Sequence, residues 1–289
     1  MQSLEVQLSR KIAKPLHIEK ITPIAGGDIS KTFKVQCKPN PCFLKIHHTS
    51  MYAMLQSEAR NLEALGKTET LRVPLPIAHG QVGNHCYLLL EFLELHQSGP
   101  GATLGKLLAR LHRHTESYYG WFEDNWIGTT SQPNTKCTDW VSFWRHRRLA
   151  HQLKLAKHNC APNTLLEHGE HLLCDMDGLF ENYSPESSLL HGDLWSGNFA
   201  FDAKARPVVY DPACYYGDRE TDLAMTELFG GFSREFYSAY MEAYPLDGGY
   251  RVRKDFYNLY HVLNHFNLFG GSYAKQAEQT CLKVLSELK

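Results

Sequence analysis

Two short runs near the N-terminus, Thr32–Cys37 (TFKVQC) and Cys42–Ile46 (CFLKI), alternate apolar and polar residues. A period of two puts one face of each run into a core. The Lys38-Pro39-Asn40-Pro41 segment between them cannot continue a strand, so the spacing predicts a β-hairpin. Leu16 to Ile24 alternates more weakly and reads as a strand before it. The period changes at Met51–Leu65 (MYAMLQSEARNLEAL), where apolar residues recur at helical spacing and Gly66 follows as a stop. Arg72 to His79 carries two prolines and reads as a loop. Ile77–Gln81 and His85–Phe92 read as a second hairpin turning at Gly83-Asn84. After a linker-like stretch, His96 to Gly101, the pattern is helical at 103–114, 140–158, 167–179, 221–229, 234–243, 251–269 and 274–288. Strand-like pieces interrupt it around 190–211.

The predicted fold class is therefore α+β, in two lobes. Residues 1–93 form a small β-rich lobe with one helix, and 94–289 a larger, mostly helical lobe. A small-molecule site is expected in a cleft between them.

Composition narrows the function. The chain has 289 residues with 43% hydrophobic and 21% charged, as ordinary globular proteins do, and a formal net charge of −1. No global field exists to hold nucleic acid or an anionic membrane, although Trp144–Arg148 (WRHRR) is a local basic patch. Leu4, Leu8 and Ile12 lie at helical spacing with charges between, which reads as an amphipathic helix and not as the core of a secretory signal. The most apolar run, Tyr87–Leu95, is too short to span a bilayer. A cytoplasmic protein is expected. The eight cysteines include no CxxC pair and the sixteen histidines no HExxH, so structural zinc is not expected.

The segment LHGDLWSGNFAFDAKARPVVYD (190–211) carries the candidate chemistry. Asp193 and Asn198 have the D-x-x-x-x-N spacing of a kinase catalytic loop, and Asp211 follows the next strand-like run, where kinases place a metal-binding Asp. Phosphoryl transfer needs one carboxylate to take the proton of the attacking hydroxyl, the role open to Asp193. It also needs oxygen ligands for Mg²⁺, which Asn198 and Asp211 offer. Asp202 fits no such role and reads as a turn residue. In the first lobe, Lys45 on a strand and Glu58 on the next helix match the kinase pair that holds ATP phosphates. Gly26 and Gly27 form a short turn through which backbone N–H groups could approach phosphate. Glu91, Phe92 and Leu93, at the lobe junction, could offer backbone groups to adenine.

LLHGDLWSGN and VVYDPACYYGDRETDLAM resemble the fructosamine kinase (ketosamine 3-kinase) family, within the protein-kinase-like, aminoglycoside-phosphotransferase-like superfamily. FEDNWIGTTSQPNT, DWVSFWRHRRLAHQL and YHVLNHFNLFGGSY extend the likeness over most of the chain. HGDxxxxN alone would indicate only the superfamily, whereas Trp195, the DPA at 211–213 and the YGDRE at 216–220 point to this family. The resemblance implies an ATP- and Mg²⁺-dependent enzyme that phosphorylates the sugar 3-hydroxyl of fructosamines or ribulosamines. The ester then sheds the sugar, a deglycation. Small ketosamines or glycated amines would be substrates, with glycated protein lysines a further possibility. By motif, Asp193 resembles the base, Asn198 and Asp211 the metal ligands, and Lys45 with Glu58 the phosphate-binding pair. Many relatives carry a redox-sensitive Cys in the nucleotide loop where this chain has Asp28.

Trp195 could face the sugar or amine, or pack in the core. Asp218 could touch substrate or cap the helix near Thr221, and Asp222 could anchor the catalytic loop. Asn125, Gln132 and Asn134 are polar residues of a loop shared with the family, and Asn125 is a candidate substrate contact. An aminoglycoside, choline or homoserine kinase-like enzyme is the alternative within the superfamily, and a non-catalytic nucleotide-binding module the alternative outside it. Gly192 stands where HRD kinases carry Arg, and no APE follows Asp211, so activity without activating phosphorylation is expected.

Overall fold

The structure, a computed structural model, describes residues 18–24 and 31–288. The amphipathic stretch at 4–12 and the Gly26-Gly27 turn lie outside the described residues. By contacts the chain divides into two compact units. One takes the chain up to Pro100 together with Phe199–Pro212, and the other takes Gly101–Asn198 with Ala213 onward.

The first unit is built on a five-stranded antiparallel sheet of β1 (Ile18–Pro23), β2 (Lys31–Cys37), β3 (Cys42–His48), β4 (Pro76–Val82) and β5 (His85–Glu91). Their order in space is β1-β2-β3-β5-β4. The alternation read from the sequence is the packing pattern. Val35, Cys37, Cys42, Leu44, Tyr87 and Leu89 form one buried cluster, with Phe33 and Ile46 against it. The β4–β5 turn pairs Val82 with His85 across Gly83, whose φ of 55° suits a two-residue hairpin turn. Helix α1 (Tyr52–Lys67) buries Met54, Leu55, Ala59, Leu62 and Leu65, the stripe its period predicted. Strand β3 lies between β2 and β5 with Lys45 opposite Thr32 and Leu88, so this lysine leaves the middle of the sheet.

A smaller antiparallel sheet completes this unit. Phe199–Asp202 pairs with Pro207–Val209 and with Leu95–His96, of which His96 lies in the stretch read as linker. Asp202 closes the turn, accepting from the backbone N–H of Lys204 and Arg206 and from the Arg206 guanidinium.

The second unit is mostly helical. The 20-residue helix Tyr250–Phe269 runs through its core and buries Phe256, Tyr257, Leu259, Tyr260, Val262, Leu263 and Phe266. The stretch read as one helix over 140–158 contains a π-helical turn, Arg145–Leu149, between Trp140–Trp144 and Ala150–His158. The helix expected from 167 begins at Asn163. A short hairpin, Asn125–Ile127 with Thr130–Gln132, and a two-stranded ladder of Ser188–Leu190 with Tyr215–Gly217 lie among the helices. No helix among the described residues is long and apolar enough to cross a membrane.

Candidate active site

Each unit holds its own set of candidate groups. In the first, the Lys45 Nζ donates to Glu58 Oε1 at 2.7 Å and to Asp211 Oδ1 at 2.6 Å. One cation stands between two carboxylates, a formal charge of −1 for the three groups together. Burial alone would lower the pKa of the Lys45 ammonium, but the charges of Asp211 and Glu58 outweigh it and hold it above the ordinary lysine value. Burial pushes the Glu58 carboxyl up, with the Lys45 charge working against it. Asp211 is the open member, its side chain 44% exposed against 7% for Lys45. Its backbone is left-handed, with φ of 57°, a conformation that costs a non-glycine residue about 1 kcal/mol or more.

Glu91 ends β5 and its carboxylate is paired with Arg72, which also donates to the Val73 carbonyl. The Glu91 N–H donates to Leu75 O. Beyond the ladder, the Phe92 ring lies under Lys34 Nζ at 4.2 Å, and Phe92 and Leu93 are half-buried.

The second unit carries the loop His191–Asn198, held from beneath by Asp222. This buried carboxylate accepts the backbone N–H of His191 (Oδ2, 2.8 Å) and of Gly192 (Oδ1, 2.8 Å). The His112 Nε2 lies 3.2 Å from Asp222 Oδ2, and its Nδ1 lies 2.8 Å from the Tyr240 hydroxyl. Burial, which would raise the Asp222 pKa, is outweighed by its hydrogen bond to His112 and nearby charges, which keep the carboxyl ionised. Burial pushes the His112 imidazole down toward its neutral form. A neutral ring beside an ionised carboxylate must donate from Nε2 and accept at Nδ1 from Tyr240.

Gly192 has φ of 83°, and a Cβ there would collide with the Ala213 carbonyl oxygen. The Ala213 N–H donates to His191 O at 2.9 Å, so the loop and the segment after Asp211 are in direct contact. Replacing Gly192 with Ala is expected to lower kcat by about 10²-fold, because displacing a catalytic loop by roughly 1 Å has that effect. Steady-state kinetics on the folded variant checks this.

Within the loop, Asn198 Nδ2 donates to Asp193 O at 2.9 Å and to Asp193 Oδ2 at 3.2 Å. That commits the Asn198 amide nitrogen and leaves its carbonyl oxygen without a hydrogen bond among the described residues. The second carboxylate oxygen of Asp211 is likewise uncommitted there. Mg²⁺ usually takes one or two protein oxygens and completes its shell with water and phosphate, so each of these oxygens, in its own unit, is chemically suited to be a ligand. No cluster of three or more His, Cys, Asp or Glu among the described residues could cage a metal instead.

Trp195 is no core residue. It is 37% exposed, and Gly197 makes room for its indole, which a Cβ there would meet. Its ring lies 6.1 Å from that of Phe229, itself 39% exposed, and Phe229 lies 5.0 Å from His265. An aromatic strip thus begins two residues from Asp193.

Two other candidate substrate contacts lie elsewhere. Asp218 is fully buried, accepting from the hydroxyls of Tyr183 (3.0 Å) and Tyr257 (2.6 Å) and from the Glu220 N–H (2.9 Å) at the start of Glu220–Leu228. Its oxygens are spent on the helix start and the core. Asn125 is also fully buried, with its amide donating to Cys214 O at 2.7 Å. Neither presents an atom to a ligand at the surface. Sequence reasoning missed Asn61, His112, Arg148 and Tyr260. The available signal was polar residues at positions that helical spacing marks as interior.

A family model for fructosamine kinase matches residues 1–287. "Probable ketoamine kinase" from Synechocystis sp. is 41% identical over 98% of this chain and 97% of its own length. Protein-ribulosamine 3-kinase, chloroplastic, from Arabidopsis thaliana is 41% identical over 96% of this chain and 86% of its own. A crystal structure from Haemophilus somnus 129PT, provisionally assigned as a fructosamine-3-kinase, superposes with a TM-score of 0.89 at 30% identity, covering 98% of this chain and 97% of that one. Aminoglycoside phosphotransferase APH(4)-Ia shares the fold at a TM-score of 0.64 and 16% identity, over 98% of this chain and 99% of that one.

Proposed function

The chain belongs to the fructosamine kinase family, and from that premise we propose how it acts as an ATP-dependent ketosamine kinase. The reaction moves the γ-phosphoryl group of ATP to the 3-hydroxyl of a ribulosamine or fructosamine. Asp193 accepts the hydroxyl proton as the sugar oxygen forms its bond to phosphorus. The bond from phosphorus to the oxygen of ADP breaks, and ADP carries that electron pair away. Lys45, held by Glu58, binds phosphate oxygens. Asn198 and Asp211 would hold Mg²⁺, which when bound neutralises phosphate charge as it shifts toward the leaving oxygen. Gly26, Gly27 and the backbone of Glu91–Leu93 would contact the nucleotide. In this reading residues 1–93 bind ATP, and 94–289 supply the base and the ketosamine site.

The observation that carries the reading is the Lys45 ammonium joined at once to Glu58 and Asp211. In this reading the lysine that binds phosphate and the carboxylate that binds metal are held by one ion-pair group, and its formal charge of −1 suits a cation. Protein-ribulosamine 3-kinase among the relatives supports ribulosamines, free or protein-bound, as the first substrates to test. ATP consumption with Mg²⁺ over a panel of ribulosamines, fructosamines, aminoglycosides and choline decides it. Turnover confined to the ketosamines is expected, and turnover confined to the last two groups overturns it.

The aromatic strip receives the amine-bearing part of the substrate. Trp195 and Phe229 present π faces to a secondary ammonium and to sugar C–H groups. Replacing Trp195 with Ala should raise the ketosamine KM about 10-fold, corresponding to roughly 1–2 kcal/mol of lost stacking and cation–π contact, with the ATP KM unchanged.

A further inference from the structure

Three consecutive backbone carbonyls follow Asp211, and a buried side-chain amide takes each of them. Asn61 Nδ2 donates to Pro212 O at 3.2 Å, Gln132 Nε2 to Ala213 O at 3.1 Å, and Asn125 Nδ2 to Cys214 O at 2.7 Å. The three side chains are 1%, 0% and 0% exposed. A turn carbonyl ordinarily bonds to backbone or water, so three interior amides in succession are an unusual commitment.

The amides are themselves fixed. Asn125 and Gln132 face each other across their hairpin, and Gln132 Nε2 also donates to Asn125 Oδ1 at 2.8 Å. Asn134 Nδ2 donates to the same oxygen at 2.8 Å, and Tyr260 donates to Gln132 Oε1 at 2.7 Å. Asn134 Oδ1 in turn accepts from Arg148 at 2.7 Å. Arg148 enters from the π-helical turn, is fully buried, donates to Pro133 O at 2.7 Å and lies 4.0 Å over the Tyr215 ring. Its hydrogen-bond partners are carbonyl and amide oxygens. Burying a guanidinium without a carboxylate is costly, and apolar residues would fill the same core at less expense in desolvation. The donors run toward the carbonyls: Arg148 to Asn134, Asn134 to Asn125 and Asn125 to Cys214, and beside them Tyr260 to Gln132 and Gln132 to Ala213 and Asn125. The direction of each bond leaves no amide free to flip.

We propose that Asn61, Asn125, Gln132, Asn134 and Arg148 are positioning residues for Asp211. They clamp carbonyls 212–214, and through the peptide chain they impose the left-handed backbone that aims the Asp211 carboxylate. This rests on the reading in which Asp211 binds the metal. It gives a task to the NWIGTTSQPN and WRHRR motifs, which the phosphoryl-transfer chemistry leaves unused.

The test measures metal binding apart from turnover. Mn²⁺ is titrated into the full-length protein with ADP, and bound metal is read from loss of the free Mn²⁺ resonance. Gln132→Met keeps the length of the side chain and removes the donor and the acceptor. It should weaken Mn²⁺ binding about 10-fold, as loss of a group supporting a metal ligand typically does, with the ketosamine KM within about twofold of the parent. Tyr260→Phe removes one hydrogen bond at little change in volume and should weaken Mn²⁺ about threefold. Mn²⁺ affinity within about twofold of the parent in both variants, whatever their melting temperatures, overturns the proposal and leaves the cluster a packing feature. Should Gln132→Met fail to fold, Tyr260→Phe decides alone. A parent protein that phosphorylates no ketosamine overturns the functional reading instead, because the Mn²⁺ titration does not depend on turnover.

Discussion

Asp193→Asn is expected to lower kcat by about 10³-fold, equivalent to roughly 4 kcal/mol of barrier, while ATP affinity stays within a factor of about two. The substituted side chain keeps the shape of the carboxylate but cannot take the proton of the sugar hydroxyl. It also retains an oxygen to accept the hydrogen bond that Asn198 Nδ2 gives to Asp193 Oδ2, so the loop holds its form. Nucleotide binding by calorimetry and single-turnover kinetics separate the two effects. A variant that turns over at the parent rate would remove Asp193 from the chemistry. A protein that never turned over, yet bound nucleotide with the variant unchanged, would be a binding module.

Lys45→Met should lower kcat/KM for ATP by about 10³-fold and also destabilise the fold. Among the described residues, the lysine is the cation paired with both Glu58 and Asp211. Removing it leaves Glu58 buried without its counter-charge, at a cost of about 3 kcal/mol near neutral pH. The pH dependence has a definite sign. In the parent, burial already pushes the Glu58 carboxyl up, and Lys45 restrains it. Without that restraint the folded-state pKa rises further above the unfolded value. A carboxyl of that kind binds a proton on folding, so stability falls as pH rises through the interval between the two values. The deficit of the variant relative to the parent should therefore be larger at pH 8 than at pH 5 in urea denaturation. A deficit that grows toward acid would mean that Glu58 is not the group left exposed to its own charge.

Much of the first unit was legible because its periods are clean. The alternation in TFKVQC and CFLKI puts Val35, Cys37, Cys42 and Leu44 on one buried face, and the helical stripe of α1 brings Glu58 to Lys45. The second unit was less so. Asp218 and Asn125 are polar, and sequence alone gives no means of telling a polar residue bound for water from one with partners waiting in the core. Asp218 finds two tyrosine hydroxyls and a helix start, and Asn125 finds a carbonyl. The hairpin 125–132 has strands of only three residues, too short to show a period. The π-helical turn at 145–149 was invisible because one extra residue per turn breaks a periodic reading without ending it. The sequence offers Asp222 as an anchor of the loop, but His112, 110 positions earlier, carries no local sign that it completes that anchor.

The groups that clamp carbonyls 212–214 share a chemical trait. Asparagine and glutamine do not titrate, and arginine stays protonated at any pH a folded protein experiences. Burial pushes the Tyr260 hydroxyl up, far from ionisation. The frame behind Asp211 is thus indifferent to acidity across the range in which enzymes are assayed. In a pH–rate profile of this protein, the scaffold behind Asp211 should therefore add no titration of its own.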